Sequence, residues 1–446
     1  MTDTGINNLQ GPIAYITGEY PRATDTFIQR EVHGLRRHGP EVRTYSIRRT
    51  NIEHLVGPEQ REEAARTFYV LPAAQSPFNL LRSHMQAIWS RPGDYFASLR
   101  LAVRTSPPGL RALIYQLFYF LEAIVLADDM KRNGVVHLHN HIATASCTVA
   151  MLASKASGIP FSFTMHGPDI FFEPIRWRID EKIAQASFVA CISDFCRSQG
   201  MIFADQKHWH KLHIVHCGIE PARYHSLAQR DAGTTSPTAP CKLLFVGRLA
   251  GVKGVPVLFE ALRSLRASSS HIHLTLIGDG PERAALEEKA RTMGLQECVT
   301  FAGYQSQAEV AQAFGETDIF VLPSFAEGVP VVLMEALASA VPVITSRIAG
   351  IPELVEDKVN GLLVPPGDPR ALSEAIHNLA TSPGLRTQYG QAGRSKVQEH
   401  YNIEHETKWL AHLLTSYLAK AESLPVRPDT PELATKFTET PEIIGT

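Results

Sequence analysis

The sequence predicts an α/β protein built as two Rossmann-like, doubly wound parallel-sheet domains that face a central cleft. Three observations carry this prediction. Short apolar runs rich in β-branched and aromatic residues recur, each followed by a glycine-bearing or polar loop and then a helix-forming segment. A stretch without apolar periodicity, 221–240, separates two such series. The chain has 446 residues, too long for one ordinary domain.

Composition narrows the class further. Hydrophobic residues make up 44% and charged residues 20%, as in a soluble globular protein. The net charge of -2 gives no whole-molecule attraction to nucleic acid. Six cysteines are scattered without C-x-x-C, so free thiols in a reducing compartment are expected rather than disulfides or zinc. The opening Met1-Thr-Asp-Thr-Gly5 lacks a basic region and a long apolar core, so no signal peptide is expected.

The first domain is expected over 1–220. Pro12–Thr17 reads as a strand, the segment from Gly18 as a loop, Phe27–His38 as a helix and Glu41–Ile47 as a second strand. Gly18 is either a plain turn or a place where backbone comes close to a ligand. Residues 75–133 interrupt the rhythm as a helical insertion. Leu113–Leu126 contains Gln116 and Glu122; it reads as a buried core helix, too short and too polar for a membrane span. The part before it mixes Arg82, Arg91, Arg100, Arg104 and Arg111 with large apolar residues, so 75–112 could lie on an anionic lipid surface. Val135–His141 is a strand whose period places His137, His139 and His141 on one side. A metal site is conceivable there, but no carboxylate or cysteine is interleaved, and strand-end polar contacts are favoured. Phe161–Met165 is a strand, so His166 emerges at its carboxyl end, followed by Gly167 and Asp169. That edge is where open α/β sheets bind ligands.

The second domain is expected over 241–400. Strands at Lys242–Val246, His271–Ile277, Val299–Ala302, Asp318–Leu322, Val341–Thr345 and Gly361–Val364 alternate with helices. A helix over 401–420 follows, and the tail over 421–446 reads as disordered from its Pro, Thr and Glu content. Gly390 and Gly393 weaken the start of the helical stretch Tyr389–Ala419.

The chemistry gathers after the strands of this second half. Glu327 lies in a strand-to-helix loop and Glu335 within the helix, with Pro330 suited to the first helical position. Arg248 and Lys253 follow the strand Lys242–Val246 in a glycine-bearing loop, where two cations fit a diphosphate. G-x-x-x-x-G-K-[ST] is absent, Gly278-x-Gly280 does not complete G-x-G-x-x-G, and Asp-x-Asp does not occur. A nicotinamide cofactor and a metal-bridged diphosphate are therefore disfavoured. Taken alone, each of these charged residues is more often solvated surface.

Together, Gly247-Arg248-x4-Lys253-Gly254, Gly278-Asp-Gly-Pro281, Phe301-x-Gly303-Tyr304 and Glu327-Gly-x-Pro330-x4-Glu335-Ala336 resemble the family 4 retaining glycosyltransferases with the GT-B fold. Tyr20–Phe27, His137–His141 and Ser162–Asp169 resemble the exopolysaccharide subgroup. The resemblance implies a cytoplasmic enzyme, peripheral at the inner membrane face. It would transfer sugar from a nucleotide-sugar donor to a lipid-linked or polysaccharide acceptor, without cofactor or metal. Arg248 and Lys253 would hold the donor diphosphate and Glu335 the ribose. Glu327 would contact the sugar, and Gly328, Val329 and Pro330 would meet sugar or phosphate through their backbone. Gly303 and Tyr304 would flank the base. His166 would face the sugar, with Glu327 the other catalytic candidate, and Gly18 and Asp169 the acceptor-side candidates. The last helix would cross back to the first domain. Two departures stand out: Thr17-Gly18-Glu19 replaces a usual Gly-Gly loop, and Ala340 replaces a usual glycine, a change expected to affect packing only. A sugar-nucleotide epimerase, a phosphorylase or a non-catalytic protein of the same fold are the alternatives.

Overall fold

The computed structural model describes residues 11–22, 25–52, 55, 57–167, 172–224, 240–267, 271–421, 423, 426 and 427. Most of the expected linker and tail lie outside these residues. In the first domain β1 (Ile13–Glu19), β2 (Val42–Arg48), β3 (Phe68–Tyr69), β4 (His137–His141), β5 (Phe161–Met165), β6 (Val189–Cys191) and β7 (Leu212–Ile214) form one sheet. Its order is β3-β2-β1-β4-β5-β6-β7, with every pairing parallel. In the second, β8 (Cys241–Val246), β9 (Ile272–Ile277), β10 (Val299–Gly303), β11 (Ile319–Leu322), β12 (Val343–Ser346) and β13 (Gly361–Val364) pair in parallel as β10-β9-β8-β11-β12-β13. These are two doubly wound α/β domains in the GT-B arrangement. Strand order reverses between β1 and β4 and again between β8 and β11, the places where such sheets open a ligand crevice.

The inner strands β4, β5, β6, β11 and β12 are buried along their whole length, as parallel sheets covered on both faces require. β5 and β11 expose nothing, which is why they read as near-continuous apolar runs. The sequence-read strands all appear, with ends shifted by a residue or two; β3 was not expected, and two residues are too short for any period to show.

α1 (Thr26–Arg37) and the last helix, Ile403–Leu418, share a separate apolar cluster: Val32 and Leu35 meet Trp409, Leu410, Leu413 and Leu414 over Ile13, Tyr15 and Phe188. Trp409 donates its indole N–H to Ile214 O at 2.9 Å. The final helix thus lies on the first domain's sheet. The helix before it, Pro383–His400, starts earlier than its glycines suggested. A Cβ on Gly390 would lie 2.0 Å from Ala340 O, and one on Gly393 2.4 Å from Leu337 Cδ2. Those glycines buy close approach to the helix Val331–Ala338 rather than weakening a helix start. Ala340 itself sits at φ 57°, in the left-handed region, so its departure from glycine bears on backbone conformation as well as packing.

The first domain's other helices include α2 (Pro58–Arg66), α3 (Val70–Ala74), α4 (Pro77–Ser90), α5 (Pro92–Arg104), α6 (Leu110–Arg132) and α7 (Ala145–Ser157). The core reading of Leu113–Leu126 holds for only part of α6. From Phe120 to Met130 it is largely buried, but Leu110, Ile114, Tyr115, Leu117 and Phe118 are exposed. By length and composition α6 could cross a membrane, and 44% of its most apolar window is buried within the fold. On α4, Phe78, Leu81, Met85 and Trp89 recur at helical spacing and all are exposed, Trp89 by 81%.

Candidate active site

The strand ends of the two domains meet. A Cβ on Gly167, just beyond β5, would lie 2.6 Å from Gly328 N, and one on Gly328 would lie 2.7 Å from Ile192 Cδ1. Glu353 accepts hydrogen bonds at 2.8 Å from both Asp194 N and Phe195 N, so a second-domain carboxylate caps a first-domain helix (Asp194–Phe203). Burial raises the pKa of Glu353 despite those bonds.

At the second reversal point, the short turn Gly251–Lys253 tucks beneath the end of β11. Gly254 has φ +66°, and a Cβ there would lie 2.1 Å from Pro323 O, so only glycine fits. Gly278 has φ +130°, and a Cβ there would lie 2.0 Å from Gly247 O. This packing directs Lys253 Nζ to Glu327 Oε1 at 2.5 Å. Lys253 and Glu327 are therefore brought together. Arg248, in the same loop as Lys253, is exposed. Pro330 caps the helix Val331–Ala338 instead of opening it, one position earlier than expected. Val329 is buried, and Ser324 Oγ is a buried hydroxyl without a hydrogen-bond partner at the end of β11.

Glu335 is held across the cleft. Arg30 Nη2 from α1 lies 2.8 Å from Glu335 Oε1, and Tyr224 OH donates to the same oxygen at 2.9 Å. Arg30 also donates to Tyr224 OH at 3.2 Å, while its Nη1 is buried without a partner. Burial and the neighbouring Glu335 carboxylate push the Tyr224 hydroxyl well above the ordinary tyrosine range. Gly303 ends the edge strand β10, and Tyr304 follows it. Gly303 O accepts from Gly278 N at 2.7 Å, which ties that end to the loop after β9, and Tyr304 is half exposed.

On the facing side, His166 is buried. His141 Nδ1 lies 3.1 Å from His166 Nε2, and His141 Nε2 lies 2.9 Å from Glu31 Oε1, which also accepts from Tyr15 OH at 2.7 Å. Burial, reinforced by His141, holds the His166 imidazole down at about 3. Glu31 stays ionised despite burial because His141 and Tyr15 bond it; its pKa lies below the ordinary carboxylate value. Ser162 Oγ bridges His137 and His139 at 2.7 Å from each, and Thr164 Oγ1 bonds the other nitrogen of His139 at 2.9 Å. A carboxylate thus does reach the histidine strand, from α1. Ligand atoms of Glu31, His139 and His141 lie within 4.8 Å of one another. Each already has a hydrogen-bond partner, and the polar-contact reading accounts for the group.

Gly18 falls within β1, beside the first reversal point, rather than in a loop; a Cβ there would meet nothing within 4 Å. Asp169 lies outside the described residues. Arg30, Tyr224, Glu31 and Glu353 belong to no motif that the sequence singles out.

The sequence profile described as Glycosyl transferases group 1 matches residues 230–396. Among curated proteins, the amylovoran biosynthesis glycosyltransferase AmsK of Erwinia amylovora is 36% identical over 210 residues, covering 46% of this chain and 50% of AmsK. The putative colanic acid biosynthesis glycosyltransferase WcaL of Escherichia coli is 31% identical over 214 residues, 46% of this chain and 51% of that protein. These matches thus span about half the length of those two relatives, while WcaL of Salmonella typhimurium aligns over 99% of its length at 25% identity, covering 90% of this chain. Among solved structures, Anabaena HepE in complex with UDP superposes with a TM-score of 0.67 at 16% identity, covering 91% of this chain and all of that one. Sucrose-phosphate synthase from Thermosynechococcus elongatus gives 0.68 at 21%, covering 92% of this chain and all of that one. At these identities the structures bear on the fold alone. The resemblance read from the glycine, lysine and glutamate motifs is borne out at the level of the glycosyl transferases group 1 model, which residues 230–396 match, and of its exopolysaccharide-biosynthesis relatives.

Proposed function

We propose that the chain is a retaining, metal-independent glycosyltransferase. It moves a sugar from a nucleotide-sugar donor to a lipid-linked or polysaccharide acceptor in exopolysaccharide assembly, at the cytoplasmic face of the membrane. The observation that carries this reading is the pairing at the second reversal point, where each motif carboxylate is matched by a cation: Glu327 by Lys253 and Glu335 by Arg30. A donor diphosphate meets Lys253 and Arg248, whose charge stabilises it as it leaves. Glu335 exchanges Arg30 and Tyr224 for ribose hydroxyls. Lys253, engaged by phosphate, releases Glu327 toward the sugar, where a carboxylate favours the developing oxocarbenium charge. Asp-x-Asp is absent, and the two cations take the part a bridging metal would play. His166 lines the facing side; as a neutral ring it orients hydroxyls rather than transferring protons. The names of AmsK and WcaL, both biosynthesis glycosyltransferases, support the exopolysaccharide assignment.

The membrane assignment is supported by the exposed stripe Phe78, Leu81, Met85 and Trp89 on α4 and by Leu110, Ile114 and Phe118 exposed on α6, with Arg100 and Arg111 also exposed in the same helical insertion.

Titration calorimetry with a panel of nucleotide sugars tests the site. The wild-type chain binds one donor, and Lys253→Ala or Glu335→Ala weakens it about tenfold or more, roughly 1.4 kcal/mol per decade. Unchanged affinity in both variants refutes the assignment. Activity that survives EDTA supports the metal-free reading, and loss restored by Mg²⁺ overturns it.

A further inference from the structure

A cavity of about 400 Å³ opens where α4 and α6 of the helical insertion meet α7, and its lining includes none of the candidate-site residues. Its floor is apolar, formed by Ala87, Ile124, Ala127 and Ala156. Its rim is cationic, with Arg82, Lys131 and Arg132 against a single lining carboxylate, Asp128. Asp128 Oδ2 accepts from Arg82 Nη2 at 2.9 Å and Ser83 Oγ at 2.8 Å, and Arg132 Nε lies 3.5 Å away. Arg132 Nη2 also donates to Asp129 Oδ1 at 3.4 Å, so the two guanidinium groups are held by two carboxylates, and Lys131 is left without an ion-pair partner among the described residues. Partial burial and the nearby Arg91 lower the Lys131 pKa, so its ammonium gains from an added anion. Ser90, Gln86 and Ser157 supply further polar groups.

An apolar floor with a rim of excess positive charge suits an amphiphile with an anionic head. The surroundings point the same way. Arg82 and Gln86 lie on α4 beside the exposed stripe Phe78, Leu81, Met85 and Trp89, so the rim stands next to the surface assigned to the membrane. We infer that this cavity binds the phosphate headgroup of an anionic membrane lipid, with the phosphate at Lys131, Arg82 and Arg132 and the first carbons of the lipid against Ile124 and Ala127. This deepens the membrane reading above and partly rests on it: the stripe supplies area, and the cavity supplies headgroup selectivity.

The test uses the full chain and two kinds of probe. Short-chain phosphatidylglycerol below its micelle concentration reports the cavity alone. Vesicles of phosphatidylcholine, with and without phosphatidylglycerol, report docking. The double variant K131Q/R132Q changes exposed side chains only, and unchanged thermal stability and nucleotide-sugar binding verify its fold. The expected result is binding of the short-chain lipid by the wild-type chain, weakened about tenfold or more in K131Q/R132Q. The double variant L81S/W89S keeps that binding but loses vesicle co-sedimentation. No binding of the short-chain lipid, or equal binding by K131Q/R132Q, overturns the cavity assignment. Equal affinity for inorganic phosphate overturns the lipid source in favour of free phosphate. Vesicle binding that survives L81S/W89S, alongside lipid binding lost in K131Q/R132Q, sinks the stripe reading and upholds the cavity.

Discussion

Arg30 Nη2 of the first domain stands 2.8 Å from Glu335 Oε1 of the second, and Tyr224 completes the contact. The pair closes the cleft over the carboxylate assigned to the donor ribose. A donor that needs Glu335 must first displace Arg30, so the ion pair reduces apparent donor affinity by the fraction of molecules in which it is formed. Arg30→Gln should therefore bind nucleotide sugar more tightly, by roughly fivefold, a modest coupling. Calorimetry on the variant checks this; weaker binding would make Arg30 a donor ligand rather than a competitor.

Gly167 and Gly328 bring the backbones of the two domains close together. Gly167→Ala places a methyl 2.6 Å from Gly328 N, which forces the cleft apart without touching either core. The expected outcome is unchanged thermal stability, a larger radius of gyration by small-angle scattering and reduced turnover. An unchanged radius of gyration with full activity would show that this contact does not set the closed state.

Stability should fall on mild acidification, and histidines cause it. Burial holds His137 and His166 at about 3, and His213 and His216 at about 4. The unfolded chain takes up these protons near pH 6.5, whereas the folded chain does not until its lower pKa is reached. Their stabilisation is thus complete above about 6.5 and drains as pH falls toward 3 to 4, by up to about 1.4 kcal/mol per pH unit for each fully buried ring. Glu63, held at about 2 chiefly by bonds from His33 and Arg36 that outweigh its burial, adds a loss only below about 4.5. Urea unfolding at about pH 8, 7, 6 and 5 should give a plateau and then a decline. A flat profile to about pH 5 would mean that these rings are protonated in the folded protein.

Ala340 adopts φ 57°, a conformation that costs an alanine about 1–2 kcal/mol and a glycine almost nothing. Part of that relief is offset by glycine's greater freedom in the unfolded chain. Ala340→Gly should gain about 0.5–1 kcal/mol, read as a higher denaturation midpoint at constant slope. A lower midpoint would mean that the Ala340 methyl contributes more by packing than its backbone costs.

The sequence announced what local chemistry can announce. The strands β8, β9 and β11 of the second domain are mostly apolar and are followed directly by glycine or proline, so their ends and the loops bearing Lys253 and Glu327 could be read directly. Contacts between distant segments could not. Arg30 and Glu335 are 305 residues apart, and Glu31 and His141 are 110 apart. Arg30 lies on a helix that also carries Arg36 and Arg37, and nothing local distinguishes it. Gly390 carries the same ambiguity: glycine in a helix reads as weakness until the neighbouring Ala340 carbonyl shows why no side chain fits.

Nuclear magnetic resonance of the reaction mixture addresses the central claim most directly. The chain, one bound nucleotide sugar and a lipid-linked glycan fraction are followed with and without that acceptor. Donor should be consumed only when acceptor is present, and the new glycosidic bond should keep the donor's anomeric configuration. Consumption without acceptor to give an epimerised sugar nucleotide, or an inverted product, would contradict the account.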